Sequence, residues 1–204
     1  MKKKVFEEFI AEQLPERKDE LIPEFSKLLD LVWQTNQNIN LISRKTSRED
    51  YWTLHLLDSI LPIQFFDFSN KKILDFGTGG GFPGLPLKLI FSNSEVYLLD
   101  SINKKISAIK NIIKMLDVPE CFTIVSRLED LEDMWFGFFD VIVCRSVKIL
   151  PKYKKKMLSL IKNDGRILLY KSKVLDDADL FPKRKIHTLD HPEIGERKIV
   201  EIWK

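Results

Sequence analysis

Five of the chain's eight glycines, Gly77, Gly79, Gly80, Gly81 and Gly84, lie within eight consecutive residues. Such density serves a ligand as well as a turn, because a backbone without Cβ atoms can pass close to a bound group. The glycines belong to Asp75-Phe-Gly-Thr-Gly-Gly-Gly-Phe-Pro-Gly84, which follows a short apolar run and leads into a helical pattern. Two nucleoside cofactors suit a loop of this kind. The dinucleotide fingerprint GxGxxG fails from Gly77, where its third glycine would fall on Phe82, but it fits from Gly79 to Gly84, so spacing leaves NAD(P) open. Pro83 and Pro86 weigh against it, since they make a poor start for the regular helix whose N-terminus would hold a pyrophosphate. An acid opening a D-x-G-x-G-x-G loop is instead characteristic of S-adenosylmethionine enzymes, and Asp75-Phe-Gly77-Thr-Gly79-Gly-Gly81 fits that pattern throughout. Asp100 closes the next apolar run, 21 residues beyond Gly79. An acid there accepts hydrogen bonds from the ribose hydroxyls of either cofactor. Its structural alternative is to cap the following turn.

Other chemistries find fewer residues. Cytosine-C5 methylation needs a cysteine nucleophile, and Cys144, the strand-end candidate, lies inside an apolar run that reads as core. Cys121 and Cys144 form no CxxC arrangement, so neither a disulfide framework nor a metal site is expected. Adenine-N6 methylation commonly uses Asp/Asn-Pro-Pro-aromatic after the fourth strand, where this chain has Cys144-Arg-Ser-Val147.

The scaffold for these residues follows from periodicity. A chain of 204 residues, 44% hydrophobic and 31% charged, suits one large domain or a domain with an appendage and excludes a disordered tail or a fibre. Residues 1–70 read as helices: Phe6, Phe9 and Ile10, then Leu21, Phe25, Leu28, Leu29, Val32 and Trp33 recur every three or four positions. Asn36-Gln-Asn-Ile-Asn40 breaks the pattern, and a further helix is expected from about Arg48 to Phe65. From residue 71, short apolar runs at 72–76, 95–100, 122–126, 140–144 and 166–170 alternate with helical stretches at about 84–91, 103–116 and 151–162. Near-continuous apolar strands separated by helices indicate a parallel sheet covered on both faces. Residues 184–189 and 197–203 alternate polar and apolar and read as a closing antiparallel hairpin. No apolar stretch approaches the roughly 18 residues of a membrane span. Glu7 and Glu8 interrupt the basic N-terminus before a signal-peptide core forms, so a cytoplasmic protein is expected.

Net charge is +3, but residues 1–145 carry 18 Lys/Arg against 22 Asp/Glu, while residues 146–204 carry 15 against 8. That asymmetry suits an anionic partner such as nucleic acid; a solvated basic face is the plainer alternative.

Several blocks together resemble one family, the bacterial small-subunit ribosomal RNA guanine-N7 methyltransferases, formerly called glucose-inhibited division protein B. They are Asn40-Leu41, His55-Leu-Leu-Asp58-Ser59, Asp75 through Pro86, Leu98-Leu-Asp100-Ser101, Ser126-Arg127-Leu128-Glu129, Asp140 to Arg145, and Gly195-Glu-Arg197, all in the family's order. The departures are Ile42 and Ser146, where the family usually has Thr and Ala, and Lys171-Ser172, where it has Lys-Gly.

The resemblance implies a doubly wound, mostly parallel, seven-stranded Rossmann-like α/β methyltransferase sheet over residues 71–204, with an N-terminal helical extension over 1–70 and a C-terminal antiparallel hairpin. It implies transfer of a methyl group from S-adenosyl-L-methionine to N7 of a guanine in 16S rRNA. Cofactor contacts carry over to Gly77, Thr78, Gly79, Gly81, Phe82, Asp100, Leu128, Glu129 and Arg145. Arg145 and His55 carry over as catalytic candidates, although a salt bridge and a packed helical histidine are their structural alternatives. Lys154, Lys155, Lys156 and Lys171 are candidate contacts to RNA, with Lys152, Lys183, Arg184 and Lys185 plausible beside them. Guanine N7 already carries an in-plane lone pair and no proton, so its attack on a sulfonium methyl needs no general base. The absence of an obvious acid–base pair accords with that chemistry. The expected partner is 16S rRNA or the small ribosomal subunit, engaged by a monomer without metal or membrane. The rivals are a small-molecule methyltransferase and a non-catalytic RNA-binding protein of ribosome assembly.

Overall fold

The computed structural model describes residues 1–172, 175 and 177–204. Its strands are β1 (Lys72–Phe76), β2 (Glu95–Asp100), β3 (Cys121–Val125), β4 (Phe139–Arg145), β5 (Ile161–Lys171), β6 (Arg184–His191) and β7 (Gly195–Ile202). They form one sheet in the order β3-β2-β1-β4-β5-β7-β6. The first five run parallel, whereas β7 pairs antiparallel with both β5 and β6, giving the expected closing hairpin. The chain steps from β1 to β2 on one side and returns to β4 on the other. That reversal opens a crevice beyond the carboxyl ends of β1 and β4, where open α/β sheets bind ligands.

Helices α1 (Lys2–Gln13), α2 (Lys18–Asn36), α3 (Asp58–Ile60), α4 (Gly84–Ile90), α5 (Asn103–Leu116) and α6 (Pro151–Leu160) cover the sheet. Strand side chains alternate between two cores. Ile73, Val96 and Leu98 face a cluster that includes Leu85 of α4 and Ile109 of α5, while Leu74, Leu99 and Ile142 face Met157 and Leu160 of α6. The first cluster also takes in Phe6, Phe25 and Trp52, so the N-terminal helices and the sheet share one apolar core. Burying a side chain such as Phe6, which is fully covered, stabilises the fold by about 1.5–3 kcal/mol.

Most expected elements fall where the periodicity places them, and two differ for identifiable reasons. β5 begins at Ile161 rather than near 166, because Ile161 pairs with Phe139 and a register irregularity separates this pair from Val141–Arg166. The helix expected from about Arg48 begins at Tyr51, because Asp50 accepts hydrogen bonds from the Ser47 amide and hydroxyl and closes a separate turn first. It then widens into a π-helical turn, Trp52–Leu57, before α3. Such turns interrupt the regular 3.6-residue period and often mark functional sites.

Candidate functional site

The glycine loop leaves β1 and folds back onto β2: the amides of Gly77 and Thr78 both donate to Leu99 O, at 2.9 and 3.0 Å. Gly77 has φ +74°, and a Cβ there would stand 2.4 Å from Val147 Cγ2. Only glycine fits that position without moving the β4 exit. Asp75, fully buried, ties the loop from within. Its Oδ2 accepts from Thr78 Oγ1 at 2.6 Å and from the Gly84 amide at 2.8 Å, while Oδ1 has no partner among the described residues. Burial pushes the Asp75 carboxyl up to about 6, against the lowering effect of those two donors.

A cavity of about 610 Å³ opens over this loop. Gly77, Thr78, Gly79, Phe82, Asp100, Leu128, Glu129, Arg145 and His55 all line it, so nine of the sequence-derived candidates converge on one space. Gly81 does not line it. That residue has φ +90° and a Cβ there would meet Leu85 Cδ1 at 2.5 Å, so Gly81 closes the loop against α4 while Gly80 takes the lining position. Asp100 ends β2 at the rim. Its Oδ2 accepts from the Gly79 amide at 3.1 Å and its Oδ1 from the Ile102 amide at 2.9 Å, so the carboxylate both braces the glycine loop and caps the next turn. Leu128 is buried, and Glu129 pairs with Lys152 at 2.6 Å.

Backbone freed of Cβ atoms, a carboxylate at the tip of β2 and an apolar floor at Leu128 fit a nucleoside-bearing cofactor such as S-adenosylmethionine.

Arg145, at the end of β4, joins this cavity to the N-terminal segment. Its Nη1 donates to Leu54 O and to Asp58 Oδ2, each at 2.9 Å, and its Nη2 lies 3.1 Å from His55 Nδ1. Guanidinium can only donate, so Nδ1 accepts and the imidazole proton resides on Nε2, which is buried without a partner among the described residues. Burial, then the Arg145 charge, holds the His55 pKa down to about 3. His55 is therefore a neutral ring, packed 5.4 Å from Phe82 and 5.1 Å from Tyr51, and not an acid at neutral pH. Asp58 also accepts from Arg197 Nε at 2.7 Å through its other oxygen.

Beyond Arg145 lies a second cavity of about 480 Å³, sharing Arg145, Ser146 and Val147 with the first. Lys171 is on its wall, ion-paired with Asp177. Lys154, Lys155 and Lys156 line neither cavity. Lys155 is exposed on α6 and Lys154 half-buried, whereas Lys156 donates to Leu131 O and lies 4.7 Å over the Phe136 ring. Cys144 is buried in the second core, where burial raises its thiol well above the ordinary range.

Three contributors received no site role from the sequence, Arg197 being named there only within a matching block. Buried Asn36 accepts from the Leu41 and Ile42 amides at 2.8 and 3.1 Å and so sets the rim those residues form; a polar residue at a core position of α2 was the available signal. Tyr153 reaches the first cavity from α6 and packs 5.4 Å from Phe76. Arg197 reaches Asp58 across 139 residues, a separation that leaves no local trace. Among the described residues, no group of three or more His, Cys, Asp or Glu side chains is placed to hold a metal ion, and no helix is long and apolar enough to cross a membrane.

Comparison with known proteins adds a second line of observation. The family model described as GidB, rRNA small subunit methyltransferase G, matches residues 21–191. The ribosomal RNA small subunit methyltransferase G of Trichodesmium erythraeum is 35% identical over 162 residues, which are 76% of this chain and 63% of that protein. The protein of the same name from Christiangramia forsetii is 37% identical over 148 residues, 72% of this chain and 67% of that one. The match thus spans just under two thirds of the first relative's length. Among solved structures, a SAM-dependent methyltransferase from Aquifex aeolicus aligns with a TM-score of 0.56 at 15% identity, covering 72% of this chain and 92% of that one, a likeness of fold.

Proposed function

The chain belongs to the rRNA small subunit methyltransferase G family, and from that membership we propose that it transfers a methyl group from S-adenosyl-L-methionine to N7 of a guanine in 16S rRNA of the small ribosomal subunit. The observation that carries this reading is the pair of cavities meeting at Arg145, one lined by the glycine loop and Asp100, the other open to an acceptor.

When bound, the cofactor supplies an electrophilic methyl group on a sulfonium. In this proposal the backbone of Gly77, Thr78 and Gly79 lets it approach, Asp100 accepts from its ribose hydroxyls, and Leu128 and Glu129 flank its adenine. Gly81 acts behind the loop. Arg145 stands where the two cavities meet, with its guanidinium 5.6 Å from the ring of Phe82 in the first. His55, neutral and bonded to Arg145, orients that guanidinium rather than moving a proton. Such a role suits attack by N7, whose lone pair needs no base. Lys154 and Lys155 on α6, with Lys152 beside them, are the proposed phosphate contacts, and Lys156 is held against Leu131 and Phe136 at their edge.

Mass-spectrometric mapping of 16S rRNA from a strain lacking the gene tests the substrate. Loss of one N7-methylguanine, restored by the wild-type gene and not by Asp100→Ala, is the expected result. Retention of every N7-methylguanine refutes the assignment.

A further inference from the structure

The second cavity holds a largely buried ion pair to which the methyl transfer proposed above gives no role. Lys171, at the end of β5, and Asp177 bond to each other with their side chains only 12% and 11% exposed. Asp177 Oδ2 also accepts from the Ile149 amide at 2.8 Å, which anchors the carboxylate to the segment between β4 and α6. Burial alone would raise this carboxyl, but the hydrogen bonds from Lys171 and Ile149 hold it below the ordinary carboxylate value. A buried pair contributes little net stability, because desolvation of both charges offsets their attraction. Its position on a cavity wall therefore calls for another role.

Two carboxylates line this cavity among the described residues, and they differ in availability. Asp58 has one oxygen bonded to Arg145 and the other to Arg197. Among the described residues, both bonds to Asp177 fall on Oδ2. Asp177 and Lys171 thus present an acceptor and a donor side by side. Guanine presents the complement along its Watson–Crick edge: N1–H and the 2-amino group donate, and the adjacent O6 accepts. Adenine reverses the pattern, with an acceptor at N1 and a donor at the 6-position.

We infer that the Lys171–Asp177 pair is the base-reading element of the second cavity, Asp177 accepting from N1–H and the 2-amino group of the acceptor guanine while Lys171 donates to O6. The inference rests on the proposed function and specifies how that site selects its base. Enzymes that act on an extruded base commonly read this edge. Recognition there leaves the N7 lone pair unblocked, and Arg145 stands at the wall through which N7 must address the first cavity.

The test is calorimetric titration of guanosine, inosine and adenosine 5′-monophosphates into the protein saturated with S-adenosylhomocysteine. In the wild type, GMP is expected to bind tightest. IMP, lacking the 2-amino group, should bind several-fold more weakly, and AMP at least about tenfold more weakly, the consequence of unpaired polar groups in a buried site. Asp177→Asn should bring GMP and IMP to within about twofold of each other, because the lost carboxylate is what distinguishes them. Lys171→Met should weaken GMP and IMP together and keep their ratio. The wild-type series needs no variant, so a folding defect in either substitution leaves the inference exposed to refutation. S-adenosylhomocysteine binding with no saturable GMP binding, or with equal affinity for GMP and AMP, overturns it. Failure of S-adenosylhomocysteine itself to bind overturns the proposed function instead.

Discussion

Arg197 donates through Nε to Asp58 Oδ1 at 2.7 Å, tying the C-terminal hairpin to the N-terminal helical segment across 139 residues. Arg145 takes the other oxygen of the same carboxylate at 2.9 Å. One acid therefore fixes two guanidiniums that line the second cavity.

Asp58→Ala should be costly on two counts. It leaves both guanidiniums without their counter-charge, and removing one member of a largely buried ion pair costs about 3 kcal/mol. Urea denaturation should show that loss, and methyl transfer should fall with it. Asp58→Asn, which keeps the shape but not the charge, should fall between Asp58→Ala and the wild type. An unchanged unfolding midpoint in Asp58→Ala would sink the idea that this carboxylate organises the wall.

Gly77→Ala places a methyl group 2.4 Å from Val147 Cγ2 at a φ of +74°. Backbone strain of this kind costs about 1–3 kcal/mol, and relief requires the loop or the β4 exit to shift. Titration calorimetry should show S-adenosylmethionine affinity reduced at least about tenfold, equivalent to about 1.4 kcal/mol. Gly80→Ala brings its Cβ 2.9 Å from Ile42 Cγ2 at an ordinary φ, and the milder defect expected there separates backbone strain from simple crowding.

Acid stability should depend on His55 and Asp75 with opposite signs. The pKa of His55 is held down to about 3, so the unfolded chain binds a proton below about 6.5 that the folded chain refuses. Its contribution is full above pH 6.5 and is lost as pH falls toward 3, with a slope of at most about 1.4 kcal/mol per pH unit. The pKa of Asp75 is raised from 3.8 to about 6, so its contribution is full below pH 3.8 and is lost as pH rises through 6. Between about pH 4 and 6 the two slopes oppose each other. His55→Gln leaves Asp75 unopposed and should lose less stability than wild type between pH 7 and 4. Parallel profiles of thermal midpoint against pH in the two proteins would contradict this.

The lysines of α6 should separate by salt dependence. Removing a single lysine–phosphate pairing reduces the slope of log affinity against log salt by about 0.7–0.9. Lys155→Gln, at an exposed position, should lower the slope for binding to small subunits or 16S rRNA by about that much. Lys156→Gln, whose native ammonium is bonded to Leu131 O and covers Phe136, should change the slope less and the unfolding midpoint more.

The parts of this architecture that were legible in the sequence are those written in local spacing. Gly77 to Gly84 cluster because one loop needs them, Asp100 ends a recognisable apolar run, and His55 and Asp58 lie three residues apart on one helical face. What was not legible depends on partners distant along the chain. No spacing rule links Arg197 to Asp58, 139 residues away, or Arg145 to His55, 90 residues away. Gly80 and Gly81 are adjacent and identical in type, and only the packing of Leu85 decides which one faces the cavity. The π-helical turn at Trp52–Leu57 was hidden because a 3.6-residue template contains no wider turn.

The contact between Asp58 and Arg197 also sets an order of events during synthesis. A chain emerges N-terminus first, so Asp58, His55 and Arg145 all leave the ribosome before Arg197 on β7 exists. Without the pairing of β7 on β5, the carboxylate would hold one guanidinium rather than two. The lining of the second cavity is thus complete only once β7, which carries Arg197 and Ile199, is paired with β5.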